Sequence, residues 1–295
     1  MASNPKFEGV YTALITPFKA GKIDDKAYQS FIDWQITQGV HGVVPCGTTG
    51  ESPTLTYEEH TRVIDLCIEA TKGRVPVMAG TGANSTEEAI MFTKHAQKAG
   101  AQGALIVTPY YNKPTQEGLF QHYKAIHDAT DIPIIVYNIP GRSVINVTDD
   151  TFVRLADLPR IAGIKDATGD LARVSTLRMR LGDRFTQLSG EDMTAVGFNA
   201  MGGRGCISVT SNIAPKQCAD VQNACLKGDY KTALALHDPL VALHNIMFCE
   251  TNPIPVKFAA HLMGKCELSF RLPLVNPTAE SQAKIKAVMQ AMKLI

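Results

Sequence analysis

A chain of 295 residues, 45% hydrophobic and 19% charged, has the make-up of a globular protein able to bury a core for one or two domains. Its 29 basic and 28 acidic side chains leave a formal charge of +1, and no basic stripe marks a surface for nucleic acid or an anionic membrane. The opening MASNPKFEGVY lacks a leader pattern, no apolar run reaches the ~18 residues of a membrane span, and seven scattered cysteines fit reduced thiols, so the expected setting is cytoplasmic, without a membrane partner.

Read in order, short β-branched or apolar runs recur at roughly 20- to 33-residue intervals, each followed by a helical pattern. GVYTALITPF precedes the amphipathic DDKAYQSFIDWQITQG. GVVPCGTTG precedes TYEEHTRVIDLCIEATKG, where Thr56 and Glu59 form a capping box and Gly73 is the stop. VPVMAGTG precedes STEEAIMFTKHAQKAG, with a second box at Ser85 and Glu88 and a stop at Gly100. GALIVTPYY, PIIVYNIPG, IAGIKDAT, FTQLSGED and GRGCISVTSN complete eight strands. Strict β-then-α alternation requires a parallel sheet covered by helices. Eight units of this size predict an α/β fold, a (β/α)8 TIM barrel over residues 1–228, with an open doubly wound sheet as the alternative. From residue 229 to 295 the alternation stops, and three helical patterns predict a C-terminal three-helix extension.

In such a barrel, chemistry gathers where strands end and run into helices. Those ends read CGTTGES, TPYYN, YNIPGR, IKDATG and LSGED. The eight histidines are dispersed, with no H-E-x-x-H spacing, so no metal site is expected. Lys165 closes the apolar run from Ile161 to Ile164 and is expected at the barrel mouth. Taking an amine out of water favours its neutral form, which attacks ketones and forms imines. The competing reading is a lysine that reaches into water or pairs with Asp166. Tyr137, one strand earlier, can exchange protons during imine formation, or serve as a satisfied core tyrosine. The turn holding Thr48 and Thr49 can bind a carboxylate through its N–H groups and hydroxyls. Arg142 offers a fork for a second carboxylate. Tyr110 and Tyr111 are adjacent and point differently, one toward the site and the other elsewhere or into a subunit contact. The glycine run GGRG lies before strand eight, not after it, so a carboxylate is a better substrate than a phosphate ester.

Together GTTGES, AGTGANS, TPYYNKPTQEG, YNIPGR, GIKDATGD, LSGED and NPIPVK closely resemble the dihydrodipicolinate synthase family of pyruvate-dependent class I aldolases. The match runs in register along nearly the whole chain. The resemblance implies an imine between Lys165 and pyruvate, its enamine adding to L-aspartate 4-semialdehyde, and cyclisation that releases the amine. It implies a proton relay of Thr48, Tyr137 and Tyr111, with Tyr111 supplied by a neighbouring subunit. It further implies pyruvate-carboxylate binding at Thr49, semialdehyde-carboxylate binding at Arg142, and backbone contacts from Gly190 and Ile207. No cofactor is implied, because the imine is the electron sink. The family also implies a homotetramer built as a dimer of dimers, and in some members inhibition by L-lysine. The matching positions for that ligand are Ser52, His60, Asn84, Glu88 and Tyr110, although Tyr57 and Pro53 depart from the enteric pattern. Alternatives are another pyruvate-dependent aldolase, of the N-acetylneuraminate lyase or ketodeoxy-sugar-acid type, and a non-catalytic metabolite-binding protein.

Overall fold

The computed structural model describes residues 7–295; the first six, which carry part of the leader reading, lie outside the described residues. Eight parallel strands form the centre: β1 Gly9–Ala13, β2 Gly42–Val44, β3 Met78–Gly80, β4 Gly103–Val107, β5 Ile134–Asn138, β6 Ile161–Asp166, β7 Thr186–Ser189 and β8 Gly205–Ser208. Each pairs with its sequence neighbour, and β1 pairs with both β2 and β8. Between β2 and β3 the ladder reduces to a parallel bridge at Val43 and Val77, supported by the N–H of Gly80 donating to the carbonyl of Pro45 at 2.9 Å. The ring therefore closes, and the expected (β/α)8 barrel is the observed fold.

Every strand is followed by a helix that covers it: α1 Asp25–Thr37, α2 Tyr57–Thr71, α3 Thr86–Ala99, α4 Gln116–Ala129, α5 Asp149–Ala156, α6 Leu171–Leu181, α7 Ala195–Ala200 and α8 Pro215–Leu226. Thr56 and Glu59 form the full reciprocal box, with N–H to side-chain distances of 3.0 and 3.2 Å. At Ser85 only half forms: the N–H of Glu88 donates to Ser85 Oγ at 3.4 Å, and the Glu88 carboxylate does not return to the cap. Glu88 is exposed, free of that cap.

One apolar cluster draws a residue from every strand, including Tyr11, Val44, Met78, Leu105, Ile135, Tyr137, Ala162, Leu188 and Ile207. It fills the barrel interior. Two others lie between strands and helices. Strand β4 shows the alternation that divides them: Ala104 and Ile106 face the helices, Leu105 the interior. Strand β6 breaks the rule. Ile134 pairs with Ile161 but Ile135 pairs with Gly163, so β6 carries one extra residue. This bulge reverses the parity of all that follows. Ile161 and Ile164 both face the helices, and Lys165 lands on the face of Tyr137, its register partner.

Beyond α8 the chain forms α9 Tyr230–His237, α10 Val241–Ile246, α11 Ile254–Leu262 and α12 Ala279–Ala291. The first of the three expected helical stretches is thus split by a tight turn at Asp238–Leu240, where Pro239 lacks the N–H a continuous helix requires. No helix among the described residues is long and apolar enough to cross a membrane.

Candidate active site

A cavity of about 390 Å³ opens at the carboxyl ends of β2 to β5, lined by Thr48, His60, Asn84, Tyr110, Tyr137 and Arg142 among others. Lys165 is only 6% exposed, and its Nζ lies 4.0 Å from the centre of the Tyr137 ring. Asp166 is not its partner. It points to the other face of β6, where one oxygen accepts from the N–H and hydroxyl of Thr168 and the other lies 3.4 Å from Arg173 Nη1. Among the described residues nothing forms a hydrogen bond or ion pair with the Lys165 amine. The solvated and the Asp166-paired readings both fail on this geometry. Glu191, beyond β7, is half-buried; burial and the adjacent Asp192 hold its carboxyl above the ordinary range, while the positive charge of Lys165 acts the other way.

The turn after β2 is built under constraint. Thr48–Gly50 form one turn of 3-10 helix, followed by Glu51 in the left-handed region at φ 56°. Thr48 borders the cavity, and Thr49 is buried. The Thr49 hydroxyl oxygen accepts from Asn252 Nδ2 at 3.1 Å, and Arg142 Nη2 donates to the main-chain carbonyl of Asn252 at 3.1 Å. One residue from the C-terminal helical region thus joins the two groups expected to hold carboxylates. Glu51 lies within a fully buried ion pair with Lys257 of α11, at 2.5 Å, and also accepts from the N–H of Arg271 at 3.2 Å. Burial lowers the pKa of the Lys257 amine, against the stabilising charge of Glu51.

Gly190 follows β7, and its N–H donates to the carbonyl of Asp166 at 2.7 Å, which leaves its own carbonyl for other contacts. A Cβ at this position would sit 2.7 Å from the Cβ of Ala167, so the approach of the two strand ends requires glycine. Ile207 lies on β8 with its side chain in the barrel interior. Tyr110 and Tyr111 do diverge. Tyr110 borders the cavity, whereas Tyr111 is 85% exposed and does not border it. Both N–H groups are fixed by Asn84 Oδ1, at 2.8 and 3.1 Å.

Ser52, His60, Asn84, Glu88 and Tyr110 all border the same cavity. His60 is buried, not on a helix surface: its ring stacks on Phe92 with centroids 3.9 Å apart, and Nε2 is 2.8 Å from the Gly80 carbonyl. Burial brings its pKa down to about 4, leaving a neutral ring whose Nε2–H donates to Gly80 and whose Nδ1 is an acceptor. Tyr57 stacks on the same Phe92 at 5.4 Å.

Asn252, Glu51 and Lys257 received no role from the sequence, although GTTGES and NPIPVK contain them. A signal was present in α11, where a lone lysine stands inside the otherwise apolar IPVKFAA. A charge at such a position needs an internal partner.

The sequence matches the dihydrodipicolinate synthetase family over residues 6–292. It is 56% identical over 292 residues to the 4-hydroxy-tetrahydrodipicolinate synthase of Afipia carboxidovorans, covering 99% of this chain and 98% of that one. The fold superposes on the dihydrodipicolinate synthase of Aquifex aeolicus with a TM-score of 0.96 at 44% identity, covering 98% and 99% of the two chains. A dihydrodipicolinate synthase from Cyanidioschyzon merolae, solved with lysine bound, gives a TM-score of 0.95 at 37% identity, with coverage of 98% and 99%.

Proposed function

The chain belongs to the dihydrodipicolinate synthetase family, and we propose that it acts as a 4-hydroxy-tetrahydrodipicolinate synthase, condensing pyruvate with L-aspartate 4-semialdehyde through a Schiff base on Lys165. The observation that carries the catalytic assignment is the buried, unpaired Lys165 amine against Tyr137 at the barrel mouth. The amine adds to the pyruvate ketone, the carbinolamine loses water, and the resulting imine loses a methyl proton to give the enamine. That carbon attacks the semialdehyde's aldehyde. The amino group of the adduct then closes the ring on the imine carbon and frees Lys165. Tyr137 carries protons at the reacting centre and Thr48 continues the relay. Tyr111 completes it from a neighbouring subunit of a homotetramer, a dimer of dimers, an assignment supported by its exposure and its place outside the cavity of its own chain. Thr49 holds the pyruvate carboxylate, Arg142 that of the semialdehyde, and the backbones of Gly190 and Ile207 supply polar contacts.

L-Lysine is the proposed inhibitor at Ser52, His60, Asn84, Glu88 and Tyr110. A free Glu88 carboxylate and a neutral His60 with an acceptor Nδ1 suit an ammonium, and the lysine-bound relative supports the reading.

Borohydride reduction in the presence of pyruvate, followed by peptide mass spectrometry, tests the chemistry. A stable adduct is expected on Lys165 and is absent from Lys165→Ala. Assay with each candidate aldehyde separates the alternatives: turnover with a sugar aldehyde and none with the semialdehyde would overturn the synthase reading.

A further inference from the structure

We infer that Asn252 is a positioning residue that sets the donor direction of the Thr49 hydroxyl, so that the C-terminal helical region tunes pyruvate binding in the barrel. The inference rests on the reading that places a keto acid's carboxylate at the Thr48–Thr49 turn. Asn252 is 6% exposed and stands just before α11, outside the strand-end loops. Its Nδ2 donates to Thr49 Oγ1 at 3.1 Å. A hydroxyl that accepts from an amide keeps its own proton for another acceptor. Thr49 is buried, and its hydroxyl donates no hydrogen bond among the described residues. The unused donor suits an incoming carboxylate, which accepts and cannot donate. Asn252 Oδ1 is itself buried without a partner, so the bond to Thr49 is the one hydrogen bond this amide makes among the described residues.

The main-chain carbonyl of the same residue holds Arg142, and five residues on Lys257 fixes Glu51 at the other end of the turn. Because Arg142 is held by the main chain of Asn252 and not by its amide, a side-chain substitution is expected to leave that contact in place.

The test measures adduct yield on Lys165 against pyruvate concentration under borohydride, with steady-state kinetics beside it. Asn252→Ala is expected to raise the half-saturating pyruvate concentration roughly tenfold, as for loss of one oriented hydrogen bond to a charged ligand. The isosteric Asn252→Asp replaces the donor with an acceptor, turns the Thr49 proton toward itself, and is expected to raise it further. In both, the plateau yield matches the wild type, and the KM for the aldehyde substrate stays within about twofold. Thr49→Val is expected to give a similar shift, and Asn252→Ala to add nothing in that background. The plateau also reports the folded fraction, and Asn252→Asp carries the test should Asn252→Ala misfold. Half-saturation unchanged in both variants, or a full added factor on top of Thr49→Val, overturns the inference and leaves the imine reading intact. A wild-type protein that traps no pyruvate overturns the imine reading and the inference together.

Discussion

Two buried lysines in one chain have opposite surroundings, and the contrast assigns their roles. Lys257 has a carboxylate at 2.5 Å and the rings of Phe18 and Phe270 within 4.1 and 5.2 Å. Lys165 has the ring of Tyr137 and no carboxylate within ion-pair distance. A buried ion pair gains little over an apolar pair of equal size, but removing one member leaves a charge without compensation. Lys257→Met is therefore expected to destabilise the fold by about 3–5 kcal/mol in urea unfolding. Adding Glu51→Gln removes the orphaned charge and is expected to restore most of that loss. A single substitution that leaves the midpoint unmoved would show that Glu51 finds another partner. Lys165 has no such pair to break, so its substitution is read in chemistry and not in stability.

At the level of strands and helices, the barrel was legible because its periodicities are local. Eight apolar runs ending in turn residues became eight strands, and the Thr56–Glu59 box became a cap with both bonds made. Features that depend on distant neighbours were not legible. Counting by twos from Ile161, which faces the helices, places residue 165 on the helix side; only the extra residue opposite Ile134 and Ile135 brings Lys165 inward. The half-formed box at Ser85 had the right letters, but Glu88 borders the cavity instead of returning to the cap. The roles of Asn252, Glu51 and Lys257 were hidden for a similar reason, since their partners lie about 200 residues away. Gly163 makes the bulge possible: a Cβ there would stand 2.2 Å from the carbonyl oxygen of Thr186 on the next strand. Gly163→Ala is expected to lower stability by about 1–3 kcal/mol, because backbone cannot yield as a flexible side chain can. It is also expected to reduce pyruvate trapping at Lys165, two residues on. Wild-type urea midpoint and trapping in this variant would mean the strand can slide without cost.

For the molecule as a whole, buried histidines are expected to set the acid limit of stability. Burial holds His60 and His122 down to about 4, and it also lowers His41 and His244. In the unfolded chain an imidazole titrates near 6.5. Between those values the unfolded state binds protons that the folded state refuses, so stability rises with pH across the window. The contribution is whole above about pH 6.5 and is lost as pH falls toward 4. At pH 5 each of the two strongly shifted histidines costs about 2 kcal/mol. Carboxylates held low by their partners, such as Glu59 beside Arg271, act in a lower window, because they remain ionised until pH falls below the ordinary carboxylate range. The two effects therefore separate. Urea midpoints are expected to fall steadily from pH 7.5 to 5, before acid protonates the ion pairs. His122 isolates the cause, since it lies outside the cavity and makes a single hydrogen bond, between Nδ1 and the Thr86 hydroxyl, with Nε2 buried and unpartnered. His122→Gln keeps a polar side chain but cannot titrate, and is expected to remove about 2 kcal/mol of the fall between pH 7.5 and 5. A variant that keeps the full wild-type slope would place the acid sensitivity elsewhere than in these buried rings.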